Sequence, residues 1–257
     1  MFLNARDKEY IQNYSKEKIT FEDFQKMAED DSLSPNEKIG FPDAYRSSYE
    51  QLIVEDIFSK SNLAKESANI LDLGCGCSNL THEIINFAKL HKHKLILADS
   101  KEMLSKIDES ENLYKIVGKF PDNKADFNDW QNEIDFILIY SVIQHIYLDT
   151  NIFSFVDGAL DLLKPGGRLL LGDIPNQSKR NRFFSSEAGI RSHQAYTKSD
   201  SLPEVNLLDL PNNKLDDSII FSILDRYRRY GYETYILPQN SSLPMSNRRE
   251  DILIIKH

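Results

Sequence analysis

The chain has 257 residues, 40% of them hydrophobic and 28% charged, and its 40 acidic against 31 basic residues give a net charge of −9. That length can bury a full core, and one α/β domain with additions is the simplest organisation. The acidic balance argues against a general nucleic-acid binder, which presents a basic face, but leaves room for a local basic pocket.

No apolar run approaches membrane-spanning length, and Met1 to Tyr10 contain no apolar leader core, so a cytoplasmic chain with no membrane partner is expected. The only cysteines, Cys75 and Cys77, are one residue apart. That is too close for a disulfide and too few for a zinc site, so they read as small residues in a crowded turn. Metal-ligand spacing is absent from the sequence, and no metal is expected.

Residues 1–38 are highly charged. Tyr10, Ile11, Tyr14, Ile19, Phe21 and Phe24 recur at roughly helical spacing, which predicts one or two amphipathic helices. Ser32 to Asn36 reads as a break. Gly40-Phe41-Pro42-Asp43 then turns into a helix that Asp43 can cap, with Leu52, Ile53, Ile57 and Phe58 on its apolar face.

From Asn69 the pattern alternates. Strands are predicted at Ile70–Leu73, Lys94–Ala98, Leu113–Val117, Asp135–Tyr140 and Arg168–Leu171. Helices are predicted at Leu80–Leu90, Glu102–Ile107, Asp126–Asn132 and Ile152–Leu163, the last stopped by Lys164-Pro165-Gly166-Gly167. Near-continuous apolar strands alternating with helices imply a parallel sheet covered on both faces. Residues 176–217 lose this rhythm and read as a polar, irregular, locally basic insertion. A helix at Ser218–Tyr230 and a strand pair at Glu233–Leu237 and Asp251–Lys256 complete the chain. The division is an N-terminal helical extension or lid, 1–68, and one domain, 69–257, carrying the insertion.

The stretch Asn69 to Ser78 is the centre of this plan: a buried strand, an acid, a glycine turn and a helix start. Gly74 and Gly76 allow a sharp turn and a close backbone approach to a ligand. Two cofactors compete for it. A dinucleotide fingerprint wants a third glycine, where Asn79 stands, and Asp72 beside the turn would repel a pyrophosphate. A cationic methionine tail suits Asp72. Asp99, at the end of the second strand, can accept both hydroxyls of a ribose from either cofactor.

Leu71-Asp72-Leu73-Gly74-Cys75-Gly76 is similar to motif I of class I S-adenosylmethionine (SAM)-dependent methyltransferases, with Ser78 where a further glycine is usual. Leu97-Ala98-Asp99, Val117-Gly118, Ile134-Asp135-Phe136-Ile137, Ser141 to Ile146 and Leu163 to Leu169 resemble the family's later landmarks in order. Lys119 stands where the family often has an acid beside adenine. The resemblance implies an α/β fold: a Rossmann-like, mostly parallel seven-stranded sheet with an antiparallel last strand. It implies SAM as cofactor and S-adenosylhomocysteine (SAH) as product. Expected cofactor contacts are Asp72, Gly74, Cys75, Gly76, Asp99, Ser100, Gly118, Lys119, Tyr140 and Ser141. Arg46, among Phe41, Tyr45 and Tyr49, resembles a lid residue that pairs with the SAM carboxylate.

Methyl transfer to a hydroxyl needs alignment and a base. Candidates at the strand ends are His145, Asp173 and Gln144. His82, His91 and His93 read as surface residues. In the insertion, Asn176, Lys179, Arg180, Arg182, Arg191 and His193 form a cation-rich set, and Arg forks bind phosphate or carboxylate. A small anionic acceptor, phosphorylated or nucleotide-linked, is therefore expected. Gly172 to Asn176 running into Lys179 to Ser186 resembles bacterial O-methyltransferases of capsule and surface-polysaccharide biosynthesis. The competing readings are a nucleic-acid or protein N-methyltransferase, a non-catalytic SAM-binding partner subunit, and a dehydrogenase. The sequence is compatible with a homodimer.

Overall fold

The computed structural model describes residues 5–14, 18–63, 67–207 and 213–257. Parts of the charged N-terminal stretch (1–4 and 15–17), of the pre-sheet segment (64–66) and of the insertion (208–212) lie outside the described residues.

Seven strands make one sheet: β1 (Asn69–Leu73), β2 (Lys94–Asp99), β3 (Leu113–Val117), β4 (Ile134–Tyr140), β5 (Leu163–Pro175), β6 (Glu233–Leu237) and β7 (Arg249–Ile255). Their order is β3-β2-β1-β4-β5-β7-β6. The first five are mutually parallel, and β7 enters antiparallel between β5 and β6. The Rossmann-like expectation and the antiparallel last strand both hold.

The reason is legible in β4, whose side chains alternate between two cores. Ile137 and Ile139 enter one core, while Phe136, Leu138 and Tyr140 enter the other. The first core is closed by α8 (Ile152–Leu162) and α11 (Asp217–Arg229), through residues such as Phe155, Val156, Ile220 and Tyr227. The second is closed by α4 (Glu50–Ser61) and α5 (Asn79–Leu90), through Ile53, Ile57, Ile84 and Ile85.

The extension contributes α1 (Ala5–Tyr14), α2 (Phe21–Glu29) and α3 (Pro35–Lys38). Thr20 with Asp23, and Ser34 with Glu37, form reciprocal capping boxes that start α2 and α3. The extension packs on the carboxyl end of the sheet. Gln25 donates to Glu102 on α6 (Lys101–Leu104) at 2.9 Å, and the Phe24 ring meets His145 edge-on at 4.9 Å.

Three local expectations are corrected, and one short helix is added. Asp43 does not cap the long helix. It opens a single 3₁₀ turn (Asp43–Tyr45), and its carboxylate accepts from Ser34 and Asn36; α4 begins only at Glu50. A short helix, α7 (Ile143–Asp149), fills the segment after β4. His93 is buried rather than on the surface, because its Nδ1 accepts the Ala68 amide at the start of β1. The insertion is not irregular. Asn176 caps α9 (Gln177–Phe184) and Ser186 caps α10 (Glu187–Thr197). Its polar composition hid two helices whose ends are specified by these caps.

Gly189 lets α10 turn back on α9. A Cβ there would lie 2.0 Å from the Phe183 carbonyl oxygen and 2.7 Å from the Phe184 Cα, backbone atoms that cannot swing aside. Gly189→Ala should therefore cost about 1–3 kcal/mol, as overpacking does, read as a lowered urea midpoint.

Candidate active site

The turn after β1 builds the first cavity. Gly74 and Gly76 hold φ of +78° and +62°. A Cβ at Gly74 would come 2.6 Å from Val142, and one at Gly76 would come 2.6 Å from Ile39. Asp99, ending β2, fastens the turn: its Oδ2 accepts the Gly76 amide at 2.8 Å and its Oδ1 the Ser100 amide at 2.6 Å.

Around the cavity stand Asp72, Gly74, Cys75, Gly76, Asp99, Gly118, Lys119, Tyr140, Ser141 and Arg46. Ser100 is not among them. It is buried, and its hydroxyl caps α6 by accepting the Met103 amide. Phe24, Ile39 and Phe41 of the extension supply the apolar roof. Lys119 lines the wall with its ammonium bound to Asp149 at 2.6 Å.

The cavity is electrically two-ended. At one end, burial and the neighbouring Asp99 charge push the Asp72 carboxyl up to about 8, and burial also raises Asp99. Among the described residues no cation pairs with either acid. At the other end lies Arg46, whose Nε is buried without a partner. Its Nη2 donates to Ser141 Oγ at 2.6 Å and to Asp173 Oδ2 at 2.7 Å, and its guanidinium lies 4.0 Å over the Phe41 ring.

Asp173 is therefore an anchor rather than a free base facing an acceptor. Its Oδ2 also accepts from Arg249 at 2.9 Å and Ser141 at 2.5 Å, and its Oδ1 accepts from Gln239 at 3.1 Å. Burial works to raise its pKa, but the charges of Arg249 and Arg46 and these hydrogen bonds outweigh it and hold it below the usual carboxylate value.

His145, on α7, faces both the first cavity and a second one, as does Ile19. Burial, with the Arg249 charge, brings its pKa down to about 4 against a weaker opposing pull from the Ile19 backbone. Gln144, Asn176, Arg180, Lys214, Arg248 and Arg249 line the second cavity. Gln144 donates to the Ser141 carbonyl at 2.6 Å, while its Oε1 is buried and unpartnered. Asn176 lines the cavity but is committed to structure, bridging Asp217 and Glu250 from the cap of α9.

Three predicted acceptor cations are not brought to this cavity. Arg182 pairs with Asp217, Arg191 pairs with Glu187 one turn away on an exposed face, and Lys179 donates to the Arg249 carbonyl near Glu250. His193 lies on a third cavity. Sequence reasoning missed Arg248 and Arg249. Their only local signal was an Arg pair just before an antiparallel last strand, a position that becomes meaningful only once β7 lies beside β5.

Among the described residues no group of three or more His, Cys, Asp or Glu is placed to hold a metal ion, and no helix is long and apolar enough to cross a membrane.

No family model matches the chain, and no curated protein matches it in sequence. In fold it is similar to the plantazolicin methyltransferase BamL, solved with a triazolic desmethylPZN analog and SAH: TM-score 0.57, 15% identity, 97% of this chain and 99% of that one. It is similar as well to a SAM-dependent methyltransferase from Aquifex aeolicus, with a TM-score of 0.53 at 13% identity over 93% of this chain and 100% of the other. The CurJ carbon methyltransferase aligns with a TM-score of 0.56 at 15% identity over 97% of this chain and 70% of that one. The chain thus has the Rossmann-like fold of the class I methyltransferases.

Two opposed pH effects follow. A carboxyl whose folded pKa is raised binds its proton more tightly in the folded state, so Asp72 makes stability fall as pH rises toward about 8. His145, lowered to about 4, makes stability fall as pH drops from about 6.5 toward 4. Between pH 6.5 and 8 the Asp72 effect is separated from that of His145. There Asp72→Asn should flatten the decline of Tm with pH and raise Tm at pH 8 by about 2–4 °C, read by scanning calorimetry without ligand.

Proposed function

We propose that this chain is an enzyme that moves a methyl group from SAM to a hydroxyl oxygen of a small anionic acceptor. The observation that carries the cofactor reading is the two-ended first cavity. The buried Asp72 and the half-buried Asp99 lack a cation among the described residues at one end, and at the other an unpartnered Arg46 Nε offers a donor. A ligand with cationic groups and a carboxylate supplies what both ends lack. The residues fit SAM: Asp72 and Asp99 would face its cationic and ribose groups, and Arg46 its carboxylate. SAM bound there supplies a methyl group bonded to a sulfonium, with a neutral thioether as leaving group. SAH in the BamL structure, which shares the fold, supports the same choice.

The chain's own groups then do four things. Phe24, Ile39 and Phe41 exclude water from the first cavity. Gln144 Oε1 accepts a hydrogen bond from a second O–H or N–H group of the acceptor and so orients the reacting hydroxyl toward His145. His145, neutral at physiological pH because of its lowered pKa, takes the hydroxyl proton between the two cavities. Arg180, Arg248, Arg249 and Lys214 draw an anionic group into the second cavity, in a chain that is acidic as a whole. A phosphorylated or nucleotide-linked metabolite or sugar is the acceptor class, in keeping with the resemblance of Gly172 to Ser186 to surface-polysaccharide methyltransferases.

Calorimetry should detect SAH binding and none for NAD. Arg46→Met should weaken SAH at least tenfold, with the fold followed by circular dichroism; binding of NAD instead of SAH would overturn the reading. A SAM-consumption screen over phosphorylated and nucleotide-activated sugars should then find turnover. With that acceptor, His145→Ala should lower kcat by about 10²–10⁴-fold, and the acid limb of the parent's pH–rate profile should lie near 4 rather than 6.5. An unchanged kcat would remove His145 as the base.

A further inference from the structure

The third cavity is about 380 Å³, against about 240 Å³ for the second. It borders the extension and α10, away from the first cavity. Tyr45, Phe184, His193 and Tyr196 line it, with Asn247 and the two arginines it shares with the second cavity, Arg180 and Arg248.

Those two arginines are unusual in this chain. Elsewhere most buried or half-buried cations are matched by acids: Arg46 and Arg249 by Asp173, and Lys60 by Asp56 and Asp251. Among the described residues Arg180 reaches only neutral oxygens, Asn181 Oδ1 at 3.3 Å and the Glu204 carbonyl at 3.4 Å. Arg248 forms no ion pair with a described acid, and its Nε is buried without a partner. Both guanidiniums lie over the one ring of Phe184, at 5.0 and 5.6 Å from its centroid. Burial, together with the neighbouring charges of Arg249 and Arg180, lowers the Arg248 pKa, so each cation raises the cost of the other. A group with at least two negative charges and several acceptor oxygens relieves both costs.

A second observation concerns the same cavity. Asn247 Oδ1 is buried and unpartnered, an acceptor awaiting an N–H donor. Tyr196, which lines the same aromatic-lined hollow, keeps 43% of its surface exposed. A flat ring with N–H groups on its edge satisfies both, and stacking on an aromatic face is tolerant of ring identity.

Resting on the acceptor reading above, we propose that the third cavity is a nucleoside subsite and that the acceptor is a nucleoside diphosphate conjugate. Its diphosphate lies between Arg180 and Arg248. Its base enters the third cavity against Tyr196 and Asn247. Its methyl-accepting end reaches Gln144 and His145 in the second.

The test is calorimetry on the full chain saturated with SAH, which keeps any purine out of the first cavity. The probes are the 5′-diphosphates of uridine, cytidine, guanosine, thymidine and adenosine, with inorganic pyrophosphate and the free nucleosides beside them. At least one nucleoside diphosphate should bind tenfold or more tightly than pyrophosphate, and more tightly than its own nucleoside. Arg248→Gln should cost that diphosphate at least tenfold, whereas Asn247→Ala with Tyr196→Ala should erase its advantage over pyrophosphate. SAH affinity should be unchanged in both variants, which shows that they fold. Equal binding of pyrophosphate and every diphosphate would overturn the nucleoside subsite. Absence of binding by any of these anions, with SAH still bound, would overturn the whole inference and leave the methyltransferase reading intact. Diphosphate binding without SAH binding would overturn the methyltransferase reading, and with it the acceptor role, and leave only the nucleoside subsite.

Discussion

The site depends on one buried charge. Asp173 accepts hydrogen bonds from Arg46 of the extension, Arg249 at the start of β7, Ser141 after β4 and Gln239 from the connection between β6 and β7. Its own amide donates to Asp251, which is held in turn by Lys60 on α4. Five parts of the chain thus meet at one carboxylate. A buried ion pair of this kind adds little net stability over an apolar replacement, but removing one partner strands the other charge, at a cost of about 3–5 kcal/mol. The arrangement therefore acts chiefly as a constraint on geometry. Asp173 holds a φ of 58° at the irregularity in the β5–β7 pairing, and Ser141 a φ of 61° where β4 gives way to α7. Both are left-handed backbone conformations carried by non-glycine residues, tolerated because the surrounding hydrogen bonds fix them. Once they are fixed, α7 leaves the sheet at the angle that sets Gln144 on the second cavity and His145 between the two.

That geometry separates opposite electrostatic fields over a short distance. In the first cavity Asp72 and Asp99 have no described cation paired to them, whereas the second has four cations on its wall. His145 stands at the junction and is kept neutral by burial and by Arg249. A protonated imidazole there would oppose the approach of a methyl donor that is itself cationic. A neutral one leaves both fields in place and keeps a lone pair available. The net charge of −9 describes neither cavity, because it sums every charged residue of the chain.

The parts read most directly from sequence are those whose cause is local. Apolar runs at the right spacing specify β1 to β5, and the Leu-Lys-Pro-Gly-Gly stretch marks the beginning of β5. The glycine turn brings Asp72, Gly74 and Gly76 to one cavity because they are neighbours in the chain, and Asp99 joins them because β2 pairs with β1 in register. Where a local signal was weak, as in the polar segment that forms α9 and α10, composition masked helices that caps define.

The second cavity was only partly legible, for a physical reason. Lys179, Arg180, Arg182 and Arg191 are equivalent as charges in a sequence, and the fold divides them by what each can reach. Arg182 and Arg191 find acids on the surface, Lys179 a carbonyl, and Arg180 a cavity wall. Arg248 and Arg249 join that wall across the sheet, and Asp173 becomes an ionised anchor because two guanidiniums from distant segments converge on it. By itself the sequence determined the sheet, the glycine turn and its acids, since these follow from hydrophobic period and from residues adjacent in the chain. Only the tertiary structure decided which charges stay unpaired and what they face. Pairing is settled by contacts between segments far apart in sequence, and burial makes each unpaired group costly enough to mark where a ligand belongs.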